Sequence, residues 1–280
     1  MKVYKNHHMK EYSNMKIGGI AKELIIIEKK EELVEVLKTR EKTFLIGNGT
    51  NTLIPDRDMD ISFISLNKLS RIEDLSDGRV YVESGLNFDD LINFIAEKNY
   101  SGLENLAGIP GSVGGLIYMN GGAYGSEVFD YIEEIEIIDE NFKIRKIKKS
   151  QVYVTYRSTE IQEKKWIVIS AVFKFKIGFD NERVLELKGK RKTRHPLNMP
   201  NLGSTFKNPN GYFSAKLIIA AGIQGHRVGD MQVSNIHPNF LENRGNAKYN
   251  DVIEILRIVK EKVKLDSGIE LEEEIVIIEN

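Results

Sequence analysis

The glycine-rich stretch 101–130 has the residue types needed to hold a phosphate group through the main chain. Its seven glycines from position 108 onward are Gly108, Gly111, Gly114, Gly115, Gly121, Gly122 and Gly125. Glycine lets the backbone take positive φ angles and approach a ligand closely. The stretch contains no lysine or arginine, so a phosphate held here would be bound by main-chain N–H groups. A loop that only turns tightly between strands has the same composition, and the glycines alone leave both interpretations open.

Two common phosphate-binding signatures are absent. No Gly-Lys-Ser or Gly-Lys-Thr occurs, which excludes a Walker-type loop. A second glycine pair, Gly47 and Gly49, follows the apolar run 43–46, as at the start of a Rossmann unit. The third glycine of that motif is missing, no helical pattern follows, and Pro55 interrupts the segment. A Rossmann dinucleotide site is therefore not predicted.

Composition and charge narrow the classes of protein further. The chain has 280 residues, 41% hydrophobic and 29% charged, which predicts two or three ordinary globular domains. Its net charge of −1 gives no reason to expect a nucleic-acid or membrane partner. The absence of cysteine excludes disulfides, thiolate metal sites and a cysteine nucleophile. Because the sequence has neither a bilayer-spanning apolar run nor the apolar core of a signal peptide, we expect a cytoplasmic protein.

Two conspicuous side-chain clusters are assigned to solvent rather than to a ligand. His7 and His8 are adjacent but have no carboxylate constellation nearby, so no metal site is predicted. The basic run 188–194, KGKRKTR, is typical of a solvated helix end.

The periodicity of the chain predicts the elements that must position these residues. Apolar runs or alternation predict strands at 23–27, 43–46, 79–83, 132–138, 143–147 and 166–175. Helical spacing predicts helices at 30–39, 88–97, 212–221 and 251–264. Asn87 is expected to cap the second helix, and Asp251 with Glu254 forms a capping pattern at the last one. Strands and helices are mixed along the whole chain.

The glycine-rich stretch resembles, almost residue for residue, the flavin loop of UDP-N-acetylenolpyruvoylglucosamine reductases. The match covers 108–115 and then Met119, Asn120, Gly122, Ala123, Tyr124, Gly125 and Glu127. The segment 47–56 resembles the first flavin loop of the same family, with Thr50 in place of serine. The two loops occur in the family's order, about 60 residues apart. The resemblance implies that the cofactor-binding residues are Gly47, Asn48, Gly49, Thr50, Asn51, Gly108, Pro110, Gly111, Ser112, Gly114, Gly115, Asn120, Gly122, Ala123 and Tyr124.

Later motifs carry the resemblance through the rest of the chain. They are Tyr156-Arg157-Ser158-Thr159, the seven residues 203–209, the run 229–240 and the C-terminal run 268–275. Carried over residue by residue, they imply catalytic roles for Arg157, Ser204 and Glu274 and substrate contacts from Tyr156, Lys207 and Asn208. The three consecutive glutamates 272–274 are all candidates, and only alignment with the family motif selects Glu274. In these later motifs Thr159 replaces serine, His195 glutamine, Ile236 lysine and Asn239 glycine.

The resemblance implies an α+β fold and a function. The fold would be a two-subdomain FAD-binding region of the PCMH or vanillyl-alcohol-oxidase-like type, residues 1–66 and 67–178, followed by an α+β substrate-binding domain, residues 179–280. The function would be NADPH-driven, FAD-dependent reduction of UDP-N-acetylglucosamine enolpyruvate to UDP-N-acetylmuramate, in peptidoglycan precursor synthesis. No obligate protein partner is evident. Fewer than 50 residues separate Arg157 from Gly203, which indicates the family's type II form, without an inserted loop.

Other classes of protein make different demands on the sequence. An FAD oxidase of the same fold would share the glycine loops but lack the motifs around Arg157 and Ser204. A non-catalytic nucleotide-sugar-binding protein would keep the later motifs and lose the flavin loop. A nucleic-acid-binding protein would need a larger basic surface than 188–194 provides.

Overall fold

The structure, a computed structural model, describes residues 1–279. Within them lie seven α-helices: α1 (Lys30–Thr39), α2 (Phe88–Glu97), α3 (Val113–Tyr118), α4 (Glu160–Glu163), α5 (Asn181–Arg194), α6 (Ser214–Ala220) and α7 (Tyr249–Ser267). The strands of the same residues are β1 (Lys2–His8), β2 (Ile20–Ile26), β3 (Thr43–Ile46), β4 (Thr52–Leu53), β5 (Met59–Ser65), β6 (Ile72–Asp74), β7 (Arg79–Glu83), β8 (Tyr100–Ser101), β9 (Gly122–Ala123), β10 (Ser126–Glu127), β11 (Ile132–Ile138), β12 (Ile144–Lys148), β13 (Val154–Thr155), β14 (Ser158–Thr159), β15 (Ile167–Lys174), β16 (Lys176–Ile177), β17 (Arg227–Val228), β18 (Met231–Val233), β19 (Leu241–Asn243) and β20 (Val276–Ile277).

The chain divides into two compact units, each made of several segments. Unit 1 comprises Met1–Lys5, Glu23–Asn48 and Ile61–Gly189. Unit 2 comprises Asn6–Lys22, Gly49–Asp60 and the chain from Lys190 onward. The first glycine loop is cut by this division, between Asn48 and Gly49. The division into domains at residues 66 and 178 stays a prediction.

Unit 1 is organised around a five-stranded antiparallel sheet in the order β12-β11-β15-β7-β6. Strand side chains alternate between the two faces, and in β7 this buries Val80 and Val82 while their neighbours stay half-exposed. These valines belong to one apolar core with residues of α2 and with Val113 and Ile117 of α3. The glycine-rich stretch is therefore fixed to the sheet by the buried side of its own short helix.

A second sheet has the order β1-β2-β5-β3, with β3 and β5 parallel. Helix α1 contributes Leu33 and Val36 to a smaller core that also contains Ile25 and Ile64. This packing places the end of β3, and with it Gly47, at a fixed position in unit 1.

Unit 2 has its own apolar core, built largely on α7. One face of this helix is buried: Val252, Ile255, Leu256, Val259 and Val263. The antiparallel sheet β17-β18-β19 contributes Met231, Val233 and Leu241 to the same core. Strand β20 near the C-terminus pairs in parallel with β4, which directly follows the first glycine loop.

Most sequence-based elements are confirmed. The bounds of α1, α2, β3, β7 and β11 agree with those predicted, and Asn87 caps α2 by accepting a hydrogen bond from Asp89 N at 3.3 Å. The predicted cap of the last helix is wrong. Helix α7 begins at Tyr249, so Asp251 lies inside its first turn, where it accepts from Lys248 N at 2.8 Å, while Glu254 pairs with Arg257.

Candidate active site

The glycine-rich stretch of unit 1 contains a helix that sequence reasoning did not predict. Helix α3 is capped by Ser112, whose Oγ accepts from Gly115 N at 3.3 Å. The next two main-chain donors are used elsewhere, because Val113 N donates to Leu86 O at 2.9 Å and Gly114 N to Ser84 O at 2.8 Å. The first turn of α3 therefore has few N–H groups left for an anion. Within residues 1–279, the N–H groups of Gly108, Gly111 and Ser112 make no hydrogen bond.

Two glycines of the loops are required by close packing of protein on protein. A Cβ at Gly114 would lie 2.5 Å from Ser84 Cβ, and a Cβ at Gly47 would lie 2.8 Å from Ser112 Oγ. Real Cβ atoms do not approach neighbours this closely. The contact at Gly47 brings the part of the first loop that lies in unit 1 against the glycine-rich loop. Sequence reasoning implied that Gly114 faces the cofactor, and the structure adds that α3 needs it to approach Ser84.

Polar groups of Ser84 and of the glycine-rich loop suit a bound dinucleotide. Ser84 is 3% exposed, and its Oγ has no hydrogen-bond partner within the described residues. Gly108 and Gly111 have φ angles of 80° and 147°, which turn their peptide groups in ways that L-residues rarely adopt. A small hydroxyl and main-chain donors, with no cation required, suit a pyrophosphate held by the backbone.

Arg157 is anchored to the glycine-rich loop within unit 1. Its guanidinium donates to Asn120 O at 3.2 Å and Gly122 O at 2.6 Å, and it lies 4.9 Å from the ring centre of Tyr156. Arg157 has φ = 55°, a left-handed conformation that is uncommon outside glycine. Two directed hydrogen bonds and one stacking contact fix the position of a permanent positive charge.

Asn120 is fully buried, and its side chain is committed to the protein. Its Nδ2 donates to Glu127 Oε2 at 2.7 Å and to Thr155 O at 3.1 Å. Thr155 lies two residues before Arg157, so Asn120 links the glycine loop to the arginine segment. The side chain of Asn120 thus has a structural use that its motif did not indicate, and its cofactor contact stays a prediction.

The hairpin of β9 and β10 continues the loop. Tyr124 and Gly125 form its turn with φ angles of 51° and 79°. The ring of Tyr124 lies 5.9 Å from the guanidinium carbon of Arg183. Arg183 also donates to Asn105 Oδ1 at 3.0 Å, and Asn105 donates to Ser126 Oγ at 2.9 Å. The start of α5 is thereby tied to the hairpin, a role that no sequence motif indicated.

The part of the first loop that lies in unit 2, from Gly49 onward, is hydrogen-bonded to the glutamate segment, residues 272–276. Gly49 has φ = 63°, and its O accepts from Asn14 N at 3.0 Å. Asn51 Nδ2 donates to Glu274 O at 3.1 Å, and Val276 N donates to Asn51 O at 2.8 Å. Asn51 therefore positions the backbone of Glu274, whatever it contributes to a cofactor.

Ser204 lies on a segment that pairs directly with the glutamate segment. Gly203 turns the chain with φ = 77°, and the half-buried Ser204 follows it. Glu274 N donates to Thr205 O at 2.8 Å, and Lys207 N donates to Glu272 O at 2.9 Å, as in an antiparallel ladder. The segments that carry Ser204 and Glu274, distant in sequence, are thus paired through their main chains within unit 2. Arg157 belongs to unit 1.

Glu272 and Glu273, two of the three consecutive glutamates, form ion pairs with different lysines. Glu272 is exposed and accepts from Lys207 Nζ at 2.6 Å, while Glu273 accepts from Lys260 Nζ of α7 at 2.9 Å. Leu271 and Ile275, which flank the triplet, are buried. Glu272 and Glu273 are thus each paired with a lysine.

Asn208, which follows the paired segment, has a structural contact of its own. Its Oδ1 accepts from Ser214 N at 3.0 Å, which caps the start of α6.

His195 and His237 form an aromatic cluster with Phe240 in unit 2. The ring centroids of the two histidines are 5.3 Å apart, and the His195 ring lies 5.0 Å from that of Phe240. Burial, followed by the neighbouring His237, Arg191 and Arg194, lowers the pKa of His195 to about 4 from its ordinary value of 6.5. Burial also lowers the pKa of His237. Both rings are therefore neutral near pH 7, and His195 packs as an apolar ring.

Among residues 1–279, no three histidine or acidic side chains converge as metal ligands would. Within the same residues, every helix is too short or too polar to cross a membrane.

Comparison with known proteins gives a consistent result. Residues 21–148 match the sequence profile of the FAD binding domain, and residues 195–278 match that of the UDP-N-acetylenolpyruvoylglucosamine reductase C-terminal domain. The chain is 54% identical to the UDP-N-acetylenolpyruvoylglucosamine reductase of Fusobacterium nucleatum, over 99% of this chain and 100% of that one. It is 36% identical to the protein of the same name from Clostridium tetani, over 98% of this chain and 91% of the other. The crystal structure of UDP-N-acetylenolpyruvylglucosamine reductase from Thermus caldophilus matches with a TM-score of 0.86 and 30% identity, over 100% of both chains. The predicted α+β fold and FAD-binding region are confirmed.

Proposed function

Because the chain belongs to the UDP-N-acetylenolpyruvoylglucosamine reductase family, we propose that it reduces UDP-N-acetylglucosamine enolpyruvate to UDP-N-acetylmuramate with NADPH and FAD. This is a step of peptidoglycan precursor synthesis. The observation that carries the proposal is the ladder in unit 2, where the Ser204 segment pairs with the Glu274 segment. A flavin oxidase acting on another substrate would have no need of a serine and a glutamate carried on neighbouring paired segments.

The residues proposed to hold FAD are those of the two glycine loops. FAD held by these loops would supply the hydride-transfer chemistry between NADPH and the enolpyruvyl group of the substrate. The N–H groups of Gly108, Gly111 and Ser112 are the main-chain donors proposed for the pyrophosphate, with Ser84 Oγ nearby. Gly114, Gly115 and Asn120 hold the loop in position through their contacts with Ser84, Ser112 and Glu127, respectively.

The chemistry of the substrate defines what the side chains must do. Reduction of the enol double bond drives negative charge onto the substrate carboxylate, and a proton must reach the adjacent carbon. We assign Arg157 and Glu274 to the carboxylate, where a fixed cation and a hydrogen-bonding carboxyl group stabilise the developing charge. We assign Ser204 as the general acid that supplies the proton. Two hydrogen bonds to loop carbonyls hold Arg157 before substrate arrives, so its orientation costs little during the reaction.

The finer assignments follow from the family motifs. Tyr156, Lys207 and Asn208 are proposed as substrate contacts, and Lys207 would have to exchange or share its pairing with Glu272. The short interval between Arg157 and Gly203 supports the type II form. We also propose the three-domain division at 66 and 178 and a cytoplasmic location, where NADPH and nucleotide sugars are made.

A two-step anaerobic experiment tests the function. Purified protein should be yellow, NADPH should bleach the flavin absorbance, and UDP-N-acetylglucosamine enolpyruvate should restore it with formation of UDP-N-acetylmuramate. Reoxidation by oxygen but not by this substrate would instead identify a flavin oxidase. Protein that binds the substrate but no flavin would identify a nucleotide-sugar-binding protein.

A further inference from the structure

Asn239 occupies a position where the family pattern has glycine, and its side chain is buried against the Ser204 segment. Asn239 is 4% exposed. Its Nδ2 donates to Phe206 O at 2.8 Å, and its Oδ1 accepts from Phe206 N at 3.0 Å. Its own main-chain O accepts from Thr205 N at 2.7 Å. The side-chain amide therefore pairs with Phe206 as the backbone of a neighbouring strand would.

The turn that carries Asn239 is itself well fixed. Ser234 Oγ accepts from the N–H groups of Ile236 at 3.0 Å and His237 at 3.1 Å. Ser234 N donates to Phe240 O, and Phe240 N donates to His237 O, both at 2.9 Å. The turn connects β18 and β19, which pair with each other and bury Met231, Val233 and Leu241. Because the turn is rigid, it can fix the position of Thr205 and Phe206, to which Asn239 is hydrogen-bonded.

The Ser204 segment is thus held along both edges. Asn239 bonds Thr205 N and both main-chain polar groups of Phe206, while the opposite edge bonds Glu274 N to Thr205 O. Ser204 directly precedes this doubly held stretch. A proton donor must lie within hydrogen-bond reach of the carbon it protonates, and misplacement by about 1 Å can cost about 100-fold in rate.

We propose that Asn239 is a positioning residue for Ser204, and that its side-chain amide serves as a strand partner for Phe206. The inference rests on the proposed function, because it assigns Ser204 the role of proton donor. Asn239 acts through Phe206 and Thr205 and need not touch the substrate.

Two variants test the inference by half-reactions. Asn239→Gly removes both side-chain hydrogen bonds and should slow reoxidation of the reduced flavin by the enolpyruvyl substrate about 10- to 100-fold. FAD content and bleaching by NADPH should stay within about twofold of wild type, because the two glycine loops are unchanged.

Asn239→Asp provides a pH signature. A protonated carboxyl can donate to Phe206 O and accept from Phe206 N, as the amide does, whereas an ionised one cannot donate. Burial raises the pKa of a carboxyl group, so the reoxidation rate of this variant relative to wild type should rise as the pH falls from about 8 to about 5. His195 and His237 lie near this turn, Lys207 follows the held segment, and Glu272, Glu273 and Glu274 lie along its opposite edge. Dividing by the wild-type rate removes the contribution of these titratable groups. If Asn239→Gly does not fold, this variant still carries the test.

Asn243 provides the matched control. It is 3% exposed, and its side chain donates to Met15 O at 2.9 Å and accepts from Gly245 N and Ala247 N at 3.1 Å. Asn243→Asp should lower thermal stability but leave the reoxidation rate, relative to wild type, independent of pH. The inference is overturned if both Asn239 variants are reoxidised at the wild-type rate, or if Asn243→Asp shows the same pH-dependent loss. If wild-type protein itself is not reoxidised by the substrate, the proposed function fails first.

Discussion

The glycine-rich loop of unit 1 and the Ser204 segment of unit 2 are held in place by different means. The loop keeps the family pattern at all eight positions 108–115, and its helix packs so closely on Ser84 that a Cβ at Gly114 has no room. The Ser204 segment lies next to a turn that departs from the pattern at Ile236 and Asn239. There, a side chain supplies hydrogen bonds that a backbone could also make. Where close packing fixes the main chain, as at Gly114, there is no room for a side chain. Where side-chain hydrogen bonds fix it, as at Asn239, different residues can occupy the position.

The largest effect that separates the two regions is expected at Ser204. Ser204→Ala should leave FAD content and bleaching by NADPH unchanged, because the loops that hold the cofactor are untouched. Reoxidation by the substrate should slow by about 10²–10⁴-fold, the usual contribution of a general acid. Stopped-flow absorbance of the two half-reactions gives the answer, and equal slowing of both would assign Ser204 a structural role.

Glu274→Gln should act on the same half-reaction with a somewhat smaller effect. Glutamine keeps the size of the side chain and the main-chain bond to Thr205, but it cannot act as a carboxyl group toward the developing charge. Losing one such group typically slows a reaction about 10²–10³-fold. Glu273→Gln is the matched control, because it changes the neighbouring carboxylate that pairs with Lys260. Equal activity of the two variants would remove Glu274 from the catalytic group.

A third prediction distinguishes close packing from ligand contact in the loop. Gly114→Ala places a methyl group 2.5 Å from Ser84 Cβ, while Gly115→Ala places one 3.2 Å from Ser112 Oγ alone. Such overpacking costs about 1–3 kcal/mol, and displacement of α3 should release most of the flavin from the first variant. The second variant should retain flavin absorbance close to wild type. The opposite order would mean that the cofactor, rather than Ser84, excludes the side chain.

Sequence reasoning succeeded where a pattern is local and failed where atoms distant in sequence meet. The bounds of α1, α2 and β7 follow from hydrophobic periodicity, and the flavin loop follows from a long ordered motif. Helix α3 was missed because glycines at 114 and 115 lower its helix propensity, while its buried side packs onto a sheet formed by other segments. The two side-chain hydrogen bonds of Asn239 could not be predicted, because their partner Phe206 lies 33 residues away in the chain. Only the departure from glycine marked this position.

The departure at His195 predicts a pH-dependent contribution to stability that comes from unit 2. The pKa of the folded-state ring is about 4, below the ordinary 6.5, so the unfolded chain binds more protons between these values. Stability is therefore fully present above about pH 6.5 and falls as the pH drops toward about 4. We expect a loss of about 1–2 kcal/mol, less than a fully buried ring would give, because His195 is partly exposed. Urea unfolding at pH 7.5 and 5.0 should show a smaller loss for His195→Gln, the family residue, and an equal loss would assign the pH dependence to other groups.

The smallest effect is expected at Glu272. It tests whether the ion pair between the Glu272 and Lys207 side chains matters for catalysis. Glu272 Oε1 lies 2.6 Å from Lys207 Nζ, but the Glu272 side chain is 71% exposed, and exposed pairs contribute only about 0–1 kcal/mol. The ladder bond from Lys207 N ends on the main-chain O of Glu272, which Glu272→Gln leaves in place. Turnover of Glu272→Gln should therefore stay within about twofold of wild type, equivalent to less than about 0.5 kcal/mol. If it instead rises or falls about tenfold, the pairing of Lys207 controls catalysis. The Ser204 segment would then depend on a side chain along its glutamate edge as well as along the edge held by Asn239.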